Sequence, residues 1–217
     1  MAPTPPRFHR SVRTGGLLLL VGTLQFLAAY TASTVVYPHY STLGDTISDL
    51  GNTATSPWHL LFNASLVAFG VLVAVGLVLA WGAFPPGSLR VVGLSLAILA
   101  AIGAVFVGLF PENVNGAAHD LASLVAFLPG SLSLIALGSA MGPETRWKVL
   151  RAATLGLGIL SLASLVLYQL TSLGTSAYLG LVERLIVFPL LVWLLATGEH
   201  LITLPTRAPA TKHLVSA

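Results

Sequence analysis

The sequence predicts an all-α integral membrane protein, a polytopic bundle of six transmembrane helices with both termini in the cytoplasm. The composition is the first reason. Of the 217 residues, 55% are hydrophobic and 8% are charged, with a mean hydropathy of +0.89, whereas about 25% of a typical soluble domain is charged. The second reason is a series of six apolar runs of about 20 residues, each long enough for a helix to cross a hydrocarbon core of roughly 30 Å.

The six runs lie at about 15–37, 57–81, 90–110, 117–140, 149–172 and 177–202. The first follows three arginines, as in a secretory signal. Its apolar stretch is longer than that of a usual signal peptide, so it is interpreted as an uncleaved first helix. The connections are short, which favours one bundle. Residues 15–203 are therefore expected to form a single transmembrane domain between cytoplasmic tails at 1–14 and 204–217.

The basic residues predict the orientation of the bundle. Nine of the ten lie before helix 1, at the start of helix 3, between helices 4 and 5, or in the C-terminal tail: Arg7, Arg10, Arg13, Arg90, Arg146, Lys148, Arg151, Arg207 and Lys212. By the positive-inside rule, these segments are expected to be cytoplasmic. The cell membrane is the expected location of the protein. The net charge of +3 thus reflects topology. The sequence contains no basic stripe interleaved with aromatic residues, so nucleic-acid binding is not expected.

Acidic residues and histidines are concentrated on the opposite, extracytoplasmic side. Five of the seven acids and three of the six histidines fall there, namely Asp45, Asp49, Glu112, Asp120, Glu183, His39, His59 and His119. The tyrosines fall near the same face, as expected of an interfacial aromatic belt. With no cysteine in the chain, a thiolate metal site and a Cys nucleophile are excluded.

Helix 6 carries two adjacent ionisable residues, Glu183 and Arg184, about two turns from its start. They need partners, because a charged side chain at the centre of a membrane costs at least about 2.5–3.5 kcal/mol. The expected partners are carboxylates for the arginine and imidazoles for the glutamate: Asp120, Asp45 or Asp49 for Arg184, and His59 or His119 for Glu183. A structural ion-pair network and a direct role in binding or catalysis are both open at this point.

A short interfacial helix is expected over 41–50, between helices 1 and 2. In that conformation one face is apolar and the other polar, with Leu43, Ile47 and Leu50 on the first and Asp45, Ser48, Asp49 and Asn52 on the second. The apolar stripe is expected to lie in lipid and the carboxylates to turn toward the mouth of the bundle. Helices 2, 4 and 6 all begin at this mouth, where their N-termini would favour an anion such as a lipid phosphate.

Three segments carry a resemblance to a known family: "YSTLGDTISDLGN" after helix 1, "HDLAS" at the start of helix 4 and "GLVERLIVFPLLVW" in helix 6. Over about residues 15–200 the chain resembles the prokaryotic six-helix membrane family designated domain of unknown function 998. That resemblance implies a fold and a topology. A fainter similarity is to transmembrane hydrolases of the alkaline ceramidase and adiponectin receptor type, in which a Ser, an Asp and three His surround a zinc ion. Ser48, Asp45 or Asp49, and His39, His59 and His119 would take those places.

Two candidate catalytic arrangements follow. In the first, a divalent metal such as zinc is held by three histidines and an aspartate, here His39, His59, His119 and Asp45, and acidifies a bound water. In the second, which needs no metal, His119 is a general base oriented by Asp120 or Asp49, and Arg184 stabilises an oxyanion. Ser48 and Glu183 complete the set of candidate catalytic residues.

The sequence favours a non-catalytic role, as an accessory subunit of a membrane protein complex or as a lipid-binding module. The alternative is a membrane-embedded hydrolase or transferase that acts on a lipid headgroup. A transporter is disfavoured, because polar residues become rare below the extracytoplasmic third of the helices and leave little for a path to the cytoplasm. Membrane lipids are the expected partners in both favoured cases.

Overall fold

The computed structural model describes residues 6–142, 147–171 and 177–204, with the side chains of 6–8 and 171 left out. Six helices make up the fold: α1 (Pro6–Val36), α2 (His59–Ala80), α3 (Ser88–Leu109), α4 (Gly116–Ala140), α5 (Lys148–Thr171) and α6 (Leu179–Thr203). All six are long and apolar enough to cross a membrane, which confirms the prediction of an all-α protein with six membrane-spanning helices. Helix α1 begins at Pro6 and so extends into the predicted N-terminal tail. The C-terminal tail from 205 onward and Arg146 lie outside the described residues.

The helices form a ring in which each packs against the next one along the chain and α1 packs against α6. Glycines allow close approach at the two interfaces of α1. A Cβ atom on Gly15 would lie 2.6 Å from the carbonyl oxygen of Gly76 on α2, and one on Gly16 would lie 2.8 Å from that of Gly198 on α6. Small residues permit such backbone contacts between membrane helices, where burial in lipid gives no driving force for association.

The ends of the ring differ. At one end α1, α3 and α5 finish and α2, α4 and α6 begin; we call it the polar end, because Ser48, His119, Glu183 and Arg184 lie there. At the other end Trp147 is fully buried, stacks on Phe84 with ring centroids 4.6 Å apart and donates its indole N–H to the carbonyl of Ala83. These aromatic contacts close the ring opposite the polar end.

The segment 37–58, here called the α1–α2 loop, does not form the predicted interfacial helix. Its residues 42–44 make a turn and Ser48–Gly51 make a single 3₁₀ turn. Ile47 and Leu50 are buried among Phe26, Phe62 and other core residues, and only Leu43 is exposed. The prediction of a helix with its apolar stripe in lipid was therefore wrong. Periodicity identifies an apolar face, and here most of that face packs into the centre of the ring.

Candidate functional site

A cavity of about 110 Å³ lies in the centre of the ring. Residues of α1, α2, α3, α4 and α6 line it, and most of them are apolar. On α4 the lining runs from His119 to Leu134, a rise of about 22 Å at 1.5 Å per residue. Four of its polar side chains lie at the polar end, where Ser48, Asn63 and Glu183 join His119, and Ser133 and Trp193 lie deeper in the ring. The site is thus a narrow apolar space with a polar cluster at one end.

His119 is held in a defined orientation at that end. It lies in the first turn of α4, is 5% exposed, and has its Nδ1 2.9 Å from the carbonyl oxygen of Phe110, at the end of α3. Because a carbonyl can only accept, Nδ1 carries the hydrogen and Nε2 of the neutral ring is an acceptor. Nε2 lies 3.0 Å from Ser48 Oγ. The imidazole therefore presents its basic nitrogen to a hydroxyl.

Glu183 joins α6 to the α1–α2 loop. It is 3% exposed, and its carboxylate accepts a short hydrogen bond from the backbone N–H of Ile47 and one of 3.3 Å from Ser48 Oγ. A buried carboxylate is tolerated only when such donors replace its hydration. Glu183 thereby fixes the backbone of the loop one residue before the serine.

Ser48 has one hydroxyl hydrogen and two neighbours that accept hydrogen bonds, His119 and Glu183. If the imidazole is neutral and the carboxylate is ionised, one of these contacts has no hydrogen. The single hydroxyl hydrogen therefore serves one acceptor at a time, and rotation about the Cβ–Oγ bond can turn it to either of them.

Arg184 points to a different part of the polar end. It is 8% exposed and donates four hydrogen bonds, to Tyr30 Oη (3.0 Å), Tyr40 Oη (2.5 Å), the Asp45 carbonyl (2.8 Å) and the Gly180 carbonyl (2.7 Å). The rings of both tyrosines also lie within 6 Å of the guanidinium, at a distance suited to cation–π attraction. Burial raises the pKa of Tyr40 above its ordinary value, so its hydroxyl stays neutral and donates to the carbonyl of Thr46.

None of the four acceptors of Arg184 is a carboxylate, so the predicted bridges to Asp120, Asp45 or Asp49 were wrong. The guanidinium instead uses the main-chain carbonyl of Asp45. Glu183 likewise contacts neither His59 nor His119 directly, although Ser48 links it to His119. The partners of both residues include main-chain groups, which any residue type supplies and which leave no signal in the sequence.

The two loop aspartates shape the loop and do not line the cavity. Asp45 accepts from the backbone N–H of Ser41 at 2.7 Å, and Asp49 accepts from the N–H and the hydroxyl of Thr46 at 2.7 and 2.8 Å. Asp120 is exposed on α4. None of these carboxylates orients His119, because its Nδ1 is bonded to the carbonyl of Phe110. The expected role of Asp120 or Asp49 as orienter was therefore wrong.

The four predicted metal ligands do not converge. His39 is exposed in the turn after α1, with a φ of 58°, and His59 Nδ1 lies 2.9 Å from the carbonyl oxygen of Ser56. Both ring nitrogens of His119 already face other groups. Within residues 6–142, 147–171 and 177–204, no three His, Asp or Glu side chains are placed to hold a metal ion. The geometry therefore gives the zinc arrangement no support.

The N-termini of α4 and α6 are also occupied by protein groups. The backbone N–H groups of Gly180 and Leu181 donate to the carbonyls of Gly44 and Leu43 in the α1–α2 loop. At α4, the side chain of Asn115 accepts from the N–H of Ala118. These contacts use donors that the sequence had suggested for an anion, and they dock the loop onto α6.

Sequence reasoning selected Ser48, His119, Glu183 and Arg184 but missed several features of the site. Tyr30 and Tyr40 were predicted only as interfacial aromatics, and they hydrogen bond to Arg184 across 154 and 144 residues of sequence. The apolar cavity was also missed. Its lining is apolar like the rest of each helix, so composition and periodicity carry no sign of a void.

Six apolar helices in a ring, with ionisable residues buried at one end, define a multi-pass integral membrane protein. The family model described as "Protein of unknown function (DUF998)" matches residues 20–200, and the chain belongs to this family. The resemblance inferred from its motifs is thereby confirmed. No curated protein and no solved structure matches the chain.

Proposed function

We propose that this protein binds a membrane amphiphile with one long apolar chain, such as a lysolipid or a fatty acyl ester. The chain lies in the central cavity and the polar group reaches Ser48, His119 and Glu183. One observation carries the proposal: a mostly apolar cavity of about 110 Å³ lies inside the ring, and four of its polar side chains lie together at one end. An amphiphile has the same distribution of polar and apolar groups.

The energetics of the cavity support the proposal. An apolar void costs roughly 24 cal/mol per Å³, so an empty cavity of this size would destabilise the protein by on the order of 2–3 kcal/mol. A hydrocarbon chain restores the lost dispersion contacts. The membrane around the protein supplies amphiphiles with long apolar chains.

The polar end offers matching groups for the other part of the ligand. Ser48 and His119 can donate to or accept from an ester or a hydroxyl, and Asn63 contributes an amide whose nitrogen bonds the carbonyl of Gly51 at 2.9 Å. Arg184 is already bonded to four neutral acceptors away from the cavity. A ligand with a neutral polar group at the ester position therefore suits this site.

Filling the cavity from the protein side tests the proposal. Ala104 lies on α3, is 7% exposed and lines the cavity, so Ala104→Leu would place a larger side chain where the ligand chain is proposed to lie. Native mass spectrometry of the protein purified in detergent should detect one bound lysolipid or acyl ester per wild-type chain, and about tenfold less in the variant. The control Ala153→Leu adds the same atoms on the exposed face of α5 and should bind as the wild type does. Equal binding by all three proteins would overturn the proposal.

We also infer that the polar end faces away from the cytoplasm. Arg10, Arg13, Arg90, Lys148 and Arg151 all lie near the starts of α1, α3 and α5, at the opposite end of the ring, and the positive-inside rule assigns such an end to the cytoplasm. The chain has no native cysteine, so a maleimide can label only the cysteine that a substitution introduces. Thr53→Cys should react with an impermeant maleimide in intact cells and Ser88→Cys only after permeabilisation. The reverse pattern would contradict this orientation.

A further inference from the structure

We propose that Ser48 is a nucleophile and that His119 is its general base, so that the protein cleaves a carboxylic ester of a long-chain acyl group. This inference rests on the proposed function, because the acyl chain of the substrate is the chain that occupies the central cavity.

The distance between the two side chains carries the inference. His119 Nε2 lies 3.0 Å from Ser48 Oγ, inside the range of about 2.6–3.2 Å that joins a nucleophile to its base. The third member of such an arrangement holds the base in one tautomer. Here the carbonyl oxygen of Phe110, 2.9 Å from Nδ1, does so, and Nε2 is left free to accept the hydroxyl proton.

The position of Ser48 suits an acyl substrate. The residue begins the 3₁₀ turn Ser48–Gly51 and lines the cavity at its polar end. Its neighbours Ile47 and Leu50 are buried, and Glu183 holds the backbone N–H of Ile47. The serine is therefore on an anchored turn. With an acyl chain along the cavity, its first carbon, the carbonyl carbon, comes next to Oγ.

The reaction balances with water as the second substrate. Ser48 Oγ forms a bond to the ester carbonyl carbon while its proton passes to His119 Nε2. The carbon–oxygen bond to the alcohol then breaks, and the imidazolium returns the proton to the departing alkoxide. Water next attacks the acyl-serine with His119 as base, which releases the fatty acid and restores the hydroxyl. The water reaches the polar end from the loop side, where Asn52, Thr53 and Ala54 are partly or fully exposed.

Glu183 acts in this scheme as a positioning residue. It holds the loop through Ile47 and contacts Ser48 at 3.3 Å, a longer distance than that to His119. For the proton transfer, rotation about the Cβ–Oγ bond turns the hydroxyl hydrogen from Glu183 to the imidazole.

Two alkyl fluorophosphonates test the proposal on the full chain in detergent micelles, one with an ethyl group and one with a hexadecyl group. An activated serine displaces fluoride and retains the phosphonate, which intact-mass and peptide analysis detect. We expect one adduct per chain on Ser48, none in Ser48→Ala, and labelling slowed by about 100-fold in His119→Gln, because a general base contributes about 10²–10⁴ in rate. The hexadecyl probe should react at least about tenfold faster than the ethyl probe, since its chain buries apolar surface in the cavity.

Ser139→Ala is the matched control. Ser139 lies on an exposed face of α4, away from the cavity, and its hydroxyl donates to the carbonyl of Ile135 at 2.7 Å, so the variant should label as the wild type does. Absence of an adduct with both probes, or an adduct on another residue, would overturn the role of Ser48 even if His119→Gln failed to fold. Lysolipid binding measured on the same preparation would still support the proposed binding function in that case. Labelling of Ser48 at equal rates by the two probes would support Ser48 as the nucleophile. It would contradict binding of the acyl chain in the cavity.

Discussion

His119 Nε2 and Ser48 Oγ lie 3.0 Å apart although 71 residues separate them in the sequence. The contact exists because the α1–α2 loop enters the ring at the start of α4. Ile47 and Leu50 are buried there, and burying two such side chains stabilises the inserted loop by roughly 1.5–3 kcal/mol each. The loop is therefore part of the core, and its serine lines the polar end of an apolar cavity.

Replacement of Glu183 should loosen the loop. Glu183→Ala leaves the N–H of Ile47 without an acceptor, so we expect the free energy of unfolding in detergent to fall by about 2–3 kcal/mol. Glu183→Gln retains a carbonyl oxygen for that N–H and should cost about 1 kcal/mol or less. Equal losses in the two variants would show that the backbone hydrogen bond from Ile47 is unimportant.

Arg184→Lys should be strongly destabilising although it retains the positive charge. The guanidinium donates four hydrogen bonds in fixed directions, and a lysine ammonium has three donors on a different geometry. We expect a loss of about 2–3 kcal/mol in the unfolding free energy. The control Arg151→Lys, at an exposed position on α5, should change it by less than about 0.5 kcal/mol. Similar values for both variants would contradict the described role of Arg184.

Gly180 should not tolerate a side chain. A Cβ atom there would collide with the Asp45 carbonyl and lie 2.8 Å from Arg184 Nη1, so Gly180→Ala is expected to cost about 1–3 kcal/mol by overpacking. At Gly156 on α5 no atom lies within 4 Å of such a Cβ. Gly156→Ala should therefore leave stability unchanged or raise it by up to about 1 kcal/mol. Thermal unfolding of both variants checks the pair, and a harmless Gly180→Ala would mean that the loop is not docked on α6.

Tyr40 should make stability depend on alkaline pH. Burial raises its pKa in the folded protein above the ordinary value of 10.0. The stabilisation that this shift represents is complete below about pH 10 and is lost as the pH rises through the folded pKa. Wild-type stability should therefore fall above pH 10 more steeply than that of Tyr40→Phe.

Tyr37→Phe serves as the control for Tyr40, because the Tyr37 hydroxyl bonds only the exposed Thr55. At pH 7, Tyr40→Phe should cost about 1–3 kcal/mol through the lost contact with Arg184, and Tyr37→Phe should cost less than about 0.5 kcal/mol. An alkaline profile of Tyr40→Phe identical to that of the wild type would contradict the assigned burial.

Sequence reasoning predicted the fold well because a membrane span must be long, apolar and helical, and all three properties are visible in a single helix. It also found Glu183 and Arg184, since a charge in such a helix stands out. It could not find their partners, because the carbonyls of Asp45 and Gly180 and the N–H of Ile47 belong to the backbone. Whether an apolar face meets lipid or the ring centre depends on tertiary packing, and so does the existence of a cavity.

Photocrosslinking of a lysolipid that carries a diazirine at the end of its acyl chain tests the central claim most directly. With the chain in the cavity, the attached residues mapped by peptide mass spectrometry should be those that line its deep part, such as Leu77, Leu134 and Leu194, and Ala104→Leu should abolish the attachment. Attachment confined to exposed faces of the helices, such as Ile159 and Val166 on α5, and unchanged by Ala104→Leu, would contradict the account.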